Sequence, residues 1–309
     1  MTHISTQDRI MLLGAGGQVG QTFRYVLERM NPQPSWHIGY YTRHDLDLTN
    51  VAALRHEVQT FAPDLIINCA AMSSPDKAEV NEPAATAINF HAVANLAALA
   101  SAQDTPLIHL STDFVFDGRQ ETPFTTEDQM NPLNVYGATK MLGEESLRHT
   151  MPWHVILRTS AVFGPFGNNM LPRTIKMLNE QKELHMVTDR VNGPTPALDL
   201  AQTLINIATQ LLKGKADGYG TFHYCGTPSC SRYELTQSIM QAYAPFTDLR
   251  PPIHKTLSQD FPTHVVRPTY SVLDCSKIKR IYDIDQPSWQ NGLQDAMHIL
   301  YSHTTTANI

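Results

Sequence analysis

The first half of the chain alternates short apolar runs with longer segments of helical periodicity. Strands are predicted for the apolar runs 9–13, 37–41, 64–69, 107–110 and 154–159. A glycine-rich turn at 14–20 is predicted to lead into a helix that continues to about residue 30, and further helices are predicted for 51–61, 76–80, 83–102 and 136–149. Strands that alternate with helices predict an α/β fold of the Rossmann type, a doubly wound parallel sheet. Ligands of such a sheet lie at the carboxyl ends of its strands.

The pattern loosens from residue 164 onward. Turn-rich loops at 164–169 and 192–196 precede helices that are predicted at 170–180 and 198–212, and 219–224 is predicted to be a late strand of the main sheet. Three more helices are predicted near the end of the chain, at 231–243, 277–282 and 288–301. We therefore predict a dinucleotide-binding domain over 1–163, to which 190–225 returns, and a smaller substrate-binding α/β subdomain over 164–189 and 226–302. Residues 303–309 are predicted to be a disordered tail.

A glycine-rich turn follows the first strand. Gly14, Gly17 and Gly20 have the spacing G-x-x-G-x-x-G and stand where the first helix begins. Such glycines allow a tight turn, let a pyrophosphate approach the bare backbone, and aim helix N-terminal amides at the phosphates. The order of strand, turn and helix favours this interpretation over a plain turn. We predict that Gly14, Gly17, Gln18, Val19 and Gly20 bind a dinucleotide.

The end of the second strand predicts which dinucleotide is bound. In NAD-preferring proteins an acidic residue at this point binds the ribose 2′-hydroxyl. Here the strand ends at 41–43, with Arg43 and no carboxylate before Asp45. A cation suits a 2′-phosphate, so NADPH is predicted, with NADH and a solvated Arg43 as the alternatives.

Four more residues are predicted to contact the cofactor. Asp47 and Leu48 follow the second strand and could flank the adenine. Ala70 and Ala71 follow the third strand, where small residues let the backbone lie against the cofactor.

Candidate chemistry follows the strand 107–110. Thr112 stands at its carboxyl end, and Tyr136 and Lys140 are four residues apart on one face of the next helix. A nearby ammonium should lower the pKa of the phenol from about 10, so that the phenol can exchange a proton with a carbonyl oxygen. The Thr112 hydroxyl could donate a second hydrogen bond to that oxygen. The alternative is an ordinary surface helix.

Composition excludes several functional classes. The chain is 42% hydrophobic and 17% charged, with a net charge of -6 and no run of Lys or Arg, which argues against nucleic acid or an anionic membrane surface as partner. No apolar run approaches the length of a membrane-spanning helix, so we predict a cytoplasmic protein. Four cysteines without a CxxC pair predict reduced thiols.

These motifs together resemble the extended short-chain dehydrogenase/reductases and, more narrowly, the dTDP-4-dehydrorhamnose reductase family. The matching segments span almost the whole chain: 17–20, 76–79, 111–118, 132–140, 143–144, 157–160, 167–169, 193–195, 267–268 and 271–274. The resemblance implies that Tyr136 protonates the C4 carbonyl oxygen of a nucleotide-linked keto sugar. It implies that Lys140 holds the nicotinamide ribose and that Thr112 hydrogen-bonds the reacting oxygen. The implied reaction is reduction of dTDP-4-dehydro-L-rhamnose by NADPH, in polysaccharide biosynthesis.

Substrate contacts are predicted on this basis as well. Ser111, Thr112 and Asp113 lie at the end of the central strand, and Asn169 and Arg267 are predicted to contact sugar and diphosphate, with a structural role in a loop as the alternative for each.

The sequence departs from the family pattern at three positions. Phe114 stands where a Tyr is common, and Ala161 stands where a Trp is frequent, so the sugar pocket should differ in shape. Thr22 replaces an acidic residue that some members use to share a metal between subunits, and we predict no metal.

Two rival functions remain open from the sequence. A nucleotide-sugar dehydratase would need a carboxylate where Phe114 stands, which leaves another reductase or an epimerase of the same family as the closer rival. The other rival is a non-catalytic NADP-binding subunit, similar to the regulatory subunit of methionine adenosyltransferase. A homodimer also remains open.

Overall fold

A parallel sheet of six strands lies at the centre of this computed structural model, which describes residues 7–260 and 263–301. The strands of the described residues are, in chain order, β1 (Asp8–Leu13), β2 (Trp36–Tyr41), β3 (Leu65–Asn68), β4 (Leu107–Thr112), β5 (His154–Thr159), β6 (Val162–Phe163), β7 (Leu184–Val187), β8 (Val191–Asn192), β9 (Thr195–Pro196), β10 (Gly220–His223), β11 (Cys230–Ser231) and β12 (Ile253–Thr256). The main sheet has the order β2-β1-β3-β4-β5-β10, and each neighbouring pair is parallel. The predicted doubly wound α/β sheet is confirmed.

Helices cover both faces of this sheet. The α-helices of the described residues are, in chain order, α1 (Gln18–Leu27), α2 (Val51–Phe61), α3 (Pro75–Val80), α4 (Glu82–Thr86), α5 (Ala92–Ser101), α6 (Val135–Thr150), α7 (Met170–Glu180), α8 (Ala197–Leu212), α9 (Arg232–Tyr243), α10 (Ser276–Tyr282) and α11 (Trp289–Tyr301). Helices α1, α8 and α10 contribute to the core on one face, and α2, α5 and α6 contribute to the core on the other.

The alternation of side chains along each strand divides the core into these two layers. In β1, Ile10 and Leu12 belong to one layer, whereas Met11 and Leu13 belong to the other. All four side chains are fully buried. Strands that are buried on both faces are apolar at every position, which is why these runs are continuous rather than alternating in the sequence.

A third apolar cluster lies outside the main sheet. Side chains of α7, α9 and α11 form it with the parallel pair β7 and β12. The sequence did not predict β7 or β12, because each has only four residues and their partner strands are distant in the chain.

The division into domains stays a prediction. Strand β10 pairs with β5 in the main sheet, and α7 and α9 share the third cluster. From the predicted subdomain, Leu273, Ile278 and Tyr282 pack in the core of the main sheet. The predicted tail, 303–309, lies outside the described residues.

One helical stretch corrects the expectation that no segment approaches the length of a membrane span. The stretch Glu82–Ser101 has 20 residues with a mean hydropathy of 1.2, which meets the length and composition of a spanning helix. A π-helical turn, Ala87–His91, interrupts it. Its alanines make it apolar, and residues such as Val93 and Leu96 pack in the core of the sheet's second face.

A buried ion pair fixes α6 to the central sheet. The carboxylate of Glu144 in α6 accepts hydrogen bonds from Arg158 Nε at 3.0 Å and from Arg158 Nη2 at 2.7 Å. Both side chains are almost completely buried, and Arg148 also pairs with Glu144. Burial alone would raise the pKa of Glu144, but the charge and hydrogen bonds of Arg158 hold it below its usual value.

Substituting Glu144→Gln should destabilise the protein by about 3 kcal/mol at neutral pH, because Arg158 would keep a buried charge without its counter-ion. The pKa of Glu144 is lower in the folded protein than its usual 4.5, so the stabilisation is present above pH 4.5 and is lost as the pH falls through the folded value. The difference between wild type and variant, measured by urea unfolding, should therefore shrink below pH 4.5.

Glu28→Gln is the matched control, since Glu28 forms an exposed pair with Arg24 and its loss should leave the unfolding midpoint unchanged. Equal midpoints for the Glu144 and Glu28 variants would contradict the assignment.

Candidate active site

The glycine-rich turn joins β1 to α1 at the carboxyl edge of the sheet. The amides of Gly14 and Ala15 both donate to the Tyr41 carbonyl at 3.0 Å, and the Gly17 amide donates to the Gly14 carbonyl at 2.9 Å. Gly14 has a φ of 79°, where other residues are strained, and a Cβ there would lie 2.7 Å from the Ala70 amide nitrogen. The turn can therefore close only with glycine at this position.

The N-terminus of α1 is free for an anion. No side chain caps it at Gly17, and no acidic residue occupies its first turn. By contrast, Asn50 caps α2, Asn134 caps α6 and Asn169 caps α7. Uncapped amides at a helix start attract phosphate. This region fits the pyrophosphate predicted at Gly17, Gln18, Val19 and Gly20.

The space at Gly17 supports the same fit. A Cβ at Gly17 would approach only the Gly14 carbonyl oxygen, at 3.2 Å, so its outer side is open. A Cβ at Gly20 would lie 2.5 Å from that oxygen and 2.6 Å from Ala15 Cα. Gly20 is thus required for packing, whereas Gly17 leaves room for a ligand. Beside it, the side-chain nitrogen of Gln18 is buried without a partner among the described residues.

The end of β2 leaves Arg43 available. Its side chain is exposed, and it acts on the carboxylate of Asp47 through its charge. The only carboxylate of the following turn that approaches Thr42, Asp45 Oδ2, accepts hydrogen bonds from the Thr42 amide at 2.9 Å and the Thr42 hydroxyl at 2.6 Å. Because the Asp45 carboxylate is already hydrogen-bonded to Thr42, it is not free to accept a hydrogen bond from a ribose hydroxyl. The exposed Arg43 suits a phosphate at this position.

The other predicted cofactor residues have different surroundings. Asp47 is exposed and accepts hydrogen bonds from the Thr49 amide and hydroxyl. Leu48 is buried in the core of the sheet's second face. Ala70 follows β3 beside Gly14, and Ala71 is exposed next to it. The structure brings Ala70 to the glycine-rich turn and places Leu48 inside the core.

Tyr136 and Lys140 lie in the first turns of α6, facing the end of β4. Both side chains are buried, Lys140 to 1% exposure. Lys140 Nζ donates to the Leu110 carbonyl at 2.6 Å and lies 2.9 Å from His109 Nε2. An ammonium has three donors, so one remains for a ligand.

The pKa of Tyr136 differs from the lowering that its spacing from Lys140 predicted. Burial raises it to about 12, partly opposed by a hydrogen bond with the Thr112 side chain. Burial also lowers the pKa of Lys140 to about 8. Burial dominates because the Lys140 ammonium is directed at His109 and the Leu110 carbonyl rather than at the phenol. The phenol therefore keeps its proton at neutral pH and is suited to donate it.

The buried carboxylate of Asp113 accepts hydrogen bonds from three hydroxyl groups. It accepts from Thr112 at 3.1 Å, from Ser160 at 2.7 Å and from Ser271 at 2.6 Å. Burial raises its pKa, and the three hydroxyls act in the opposite direction. Asp113 thereby fixes Thr112, whose oxygen also accepts from the Phe114 amide at 3.2 Å.

Three polar residues that hold these groups, His109, Asn68 and Asn89, were not predicted from the sequence. His109 lies between Lys140 and Asn68, 3.1 Å from the Asn68 side-chain nitrogen. Burial lowers the pKa of His109 far below its usual value, so its ring is neutral. Asn89, in the π-helical turn, donates to the Thr139 hydroxyl at 3.1 Å and accepts from the Met72 amide at 2.9 Å. The sequence does carry one signal for Asn89, because it is a polar residue on the apolar face of a predicted helix.

The remaining predicted substrate residues are not all brought together. Ser111 is buried at the end of β4. Asn169 caps α7 and donates to the Gly164 carbonyl at 2.9 Å, so its amide is engaged within its own loop. Arg267 forms a bidentate ion pair with Asp76, with both oxygens at 2.7 Å from Nη2. This pair connects the C-terminal segment to α3.

Two of the three departures from the family pattern, Phe114 and Ala161, lie in different surroundings. The Phe114 ring lies edge-on to Tyr136, with centroids 5.7 Å apart, so it packs against the candidate proton donor. Ala161 has a φ of 43°, and its carbonyl accepts a hydrogen bond from the Thr195 amide at 3.3 Å.

Sequence comparisons relate the chain to known proteins. A family model described as the RmlD substrate binding domain matches residues 8–302. A dTDP-4-dehydrorhamnose reductase from Aggregatibacter actinomycetemcomitans is 33% identical over 289 residues, which cover 93% of this chain and 97% of that protein. The enzyme of the same name from Escherichia coli K12 is 30% identical over 302 residues, or 96% of this chain and 99% of that protein.

Structural comparisons agree. A dTDP-4-dehydrorhamnose reductase from Bacillus anthracis, solved in complex with NADP, has a TM-score of 0.84 and 30% identity, with 94% of this chain and 99% of that chain covered. A dTDP-4-dehydrorhamnose reductase from Clostridium acetobutylicum has a TM-score of 0.86 and 31% identity over the same shares of both chains.

Substituting Gly17→Ala should weaken NADPH binding by at least about tenfold, or about 1.4 kcal/mol, with only a small loss of stability. The backbone at Gly17, with φ of -80° and ψ of 173°, accepts any residue, and the new methyl group would occupy the space left for the pyrophosphate. Fluorescence titration with NADPH measures the effect. Gly20→Ala is the contrasting variant and should lower the melting temperature. Wild-type affinity in Gly17→Ala would rule out this pyrophosphate site.

Proposed function

We propose, since this chain belongs to the family of the RmlD substrate binding domain, that it reduces the C4 keto group of a nucleotide-activated 4-keto-6-deoxy sugar with NADPH. The substrate is dTDP-4-dehydro-L-rhamnose and the product is dTDP-L-rhamnose, a sugar donor for polysaccharide synthesis. The enzyme is therefore an NAD(P)-dependent oxidoreductase.

A single arrangement carries this proposal. Tyr136 and Thr112 meet at the carboxyl end of β4, Lys140 lies one helical turn behind Tyr136, and the uncapped start of α1 lies at the same edge of the sheet. Parallel strands bring these groups together although they are far apart in the sequence. A proton donor next to a dinucleotide site is what reduction of a ketone requires.

Tyr136 and Thr112 act on the oxygen of the C4 carbonyl. NADPH, when bound, supplies the hydride for C4. As negative charge develops on the oxygen, the Tyr136 phenol transfers its proton to it and a hydroxyl group forms. When the substrate binds, the Thr112 hydroxyl turns its single proton from Asp113 to the same oxygen. The raised pKa of Tyr136 keeps the phenol protonated before the reaction.

Lys140 positions the cofactor in this proposal. Two of its three donors are directed at the Leu110 carbonyl and at His109, and the third is available for a ribose hydroxyl. His109 contacts the Lys140 ammonium, and Asn68 in turn contacts His109. His109 and Asn68 therefore act as positioning residues for Lys140.

Ser111, Asp113, Asn169 and Arg267 stay proposals as substrate contacts, as do Asp47, Leu48 and Ala71 as cofactor contacts. Asp113 acts through Thr112, and Asn169 holds the loop 164–169 that faces the glycine-rich turn. We place the enzyme in the cytoplasm, which supplies NADPH. The free thiols of all four cysteines are consistent with a reducing compartment.

The decisive experiment is NADPH oxidation, followed at 340 nm, with dTDP-4-dehydro-L-rhamnose. Wild-type protein should turn over, and Tyr136→Phe should lower kcat by about a hundredfold or more because it lacks the proton donor. NADPH should bind the variant almost as it binds wild type. The phenyl ring keeps the packing against Phe114, so loss of folding does not explain a lower rate.

Thr112→Val removes the second hydrogen bond at the same volume and provides a graded comparison. An unchanged rate in Tyr136→Phe would refute its role as proton donor. Binding of NADPH by wild type without any oxidation would instead favour a non-catalytic binding protein.

Arg43→Ala should weaken NADPH by about tenfold or more and leave NADH nearly unchanged, since only NADPH carries the 2′-phosphate that the guanidinium would pair with. The ratio of kcat/KM for the two cofactors measures this selectivity. Arg24→Ala, which removes an exposed arginine of α1, controls for net charge. Equal losses of kcat/KM for NADH and NADPH in Arg43→Ala would show that Arg43 does not bind the 2′-phosphate.

A further inference from the structure

Two buried cysteines face each other where the main sheet meets the C-terminal segment. Cys225 lies just after β10, and Cys275 lies directly before α10. Their sulfur atoms are hydrogen-bonded at 3.9 Å, although the two residues are 50 positions apart in the chain. The fold therefore holds two thiols close to the separation of about 2 Å that a disulfide bond needs.

The hydrogen bonds of the pair involve one carbonyl group and one amide. The Leu273 carbonyl accepts from Cys225 Sγ and from Cys275 Sγ, each at 3.7 Å. Gln286 Nε2 donates to Cys225 Sγ at 3.7 Å. When Cys225 loses its proton, Cys275 and Gln286 both donate to its sulfur, and these hydrogen bonds lower the pKa of Cys225 against the effect of burial. Cys225 is thus the member of the pair that ionises first.

A cavity of about 590 Å³ lies next to the pair. Leu273, Cys275 and Gln286 are among its lining residues. Cys275 keeps 4% of its surface exposed, whereas Cys225 is fully buried. A small oxidant that enters the cavity therefore meets Cys275 first. A thiol that can be reached from solvent, with a second thiol behind it, is the usual arrangement of a redox-sensing pair.

We propose that a hydroperoxide, such as hydrogen peroxide, joins Cys225 and Cys275 in a disulfide bond that slows the reductase. Disulfides that form in the cytosol are usually of this transient kind. The site of modification rests on the geometry of the thiol pair and on the cavity. The effect on turnover rests on the proposed function.

The oxidation takes place in two steps. First, Cys275 Sγ attacks one oxygen of the peroxide while its proton passes to the Cys225 thiolate, and the O–O bond breaks with loss of hydroxide, which leaves a sulfenic acid on Cys275. Second, Cys225 Sγ attacks Cys275 Sγ, the S–O bond breaks, and the departing hydroxide takes the proton of Cys225 to form water. Both sulfurs are oxidised, and the peroxide is reduced to hydroxide and water.

The disulfide bond changes the segment 271–275. Both thiol hydrogens are lost, so the Leu273 carbonyl loses two donors, and the sulfurs move about 2 Å closer to each other. Ser271 lies in the same segment and donates to Asp113 at 2.6 Å. A shift of the segment weakens this hydrogen bond, so the Asp113 carboxylate and the Thr112 hydroxyl beside it lose their fixed positions.

The test exposes the full chain to hydrogen peroxide and maps its disulfides by mass spectrometry of a digest prepared without reductant. Wild-type protein should lose two of its four thiols and yield the linked peptides of Cys225 and Cys275, lighter by two hydrogens. The kcat for the keto sugar should fall about tenfold, as expected for loss of one hydrogen bond to a charged group. Dithiothreitol should restore both the thiols and the rate.

Cys275→Ser is the informative variant, because serine keeps a donor for the Leu273 carbonyl and removes the sulfur that meets the peroxide. Its rate should be the same before and after peroxide treatment. Cys230→Ser is the matched control, since Cys230 is also buried but has no second thiol within hydrogen-bonding distance among the described residues. This control should stay as sensitive to peroxide as wild type.

Two results would overturn the proposal. One is inactivation of Cys275→Ser by peroxide at the wild-type rate. The other is a map of oxidised wild-type protein in which Cys225 and Cys275 are not linked to each other, a result that does not depend on the folding of any variant.

The disulfide map also separates this proposal from the proposed function. If reduced wild-type protein does not turn over the keto sugar, the proposed reaction is wrong, whereas a bond between Cys225 and Cys275 would still support the site of modification. Full turnover in protein that carries the bond would leave the reaction standing and refute the effect of oxidation on it.

Discussion

The buried carboxylate of Asp113 is the interaction on which the rest of the site depends. A carboxylate without a cation beside it is costly to bury, and here three hydroxyls compensate it. They come from the end of β4, the end of β5 and the C-terminal segment. Because one small group can accept all three only when these segments are in register, Asp113 fixes the position of Thr112 relative to the rest of the cleft.

Helix α6, which carries Tyr136, is fixed at three points along its length. Asn134, which caps its start, donates to the Val266 carbonyl, the Lys140 ammonium donates to the Leu110 carbonyl of β4, and Glu144 pairs with Arg158 of β5. Each contact joins α6 to a different part of the fold. The phenol therefore faces the cleft in a fixed geometry before any ligand binds, and preorganisation of this kind favours catalysis over simple binding.

Most of the fold could be predicted from sequence because its signals are local. The strand, turn and helix around Gly14 follow from neighbouring residues, and α2 and α7 were predicted with their observed bounds. The contact of His109 with Lys140 could not be predicted, since it depends on how α6 packs against β4. The pKa of Tyr136 was predicted in the wrong direction, because spacing along a helix does not reveal burial.

The bond between Ser271 and Asp113 spans 158 positions of the chain. During translation, Asp113 is synthesised long before Ser271, which donates one of the three hydrogen bonds to its carboxylate. Strands β1 to β5 can therefore begin to assemble while the protein is still being made, but the hydrogen bonds around Asp113 are completed only after Ser271 has been synthesised. A truncated translation product that ends before Ser271 would lack this hydrogen bond, so its active site would be incomplete.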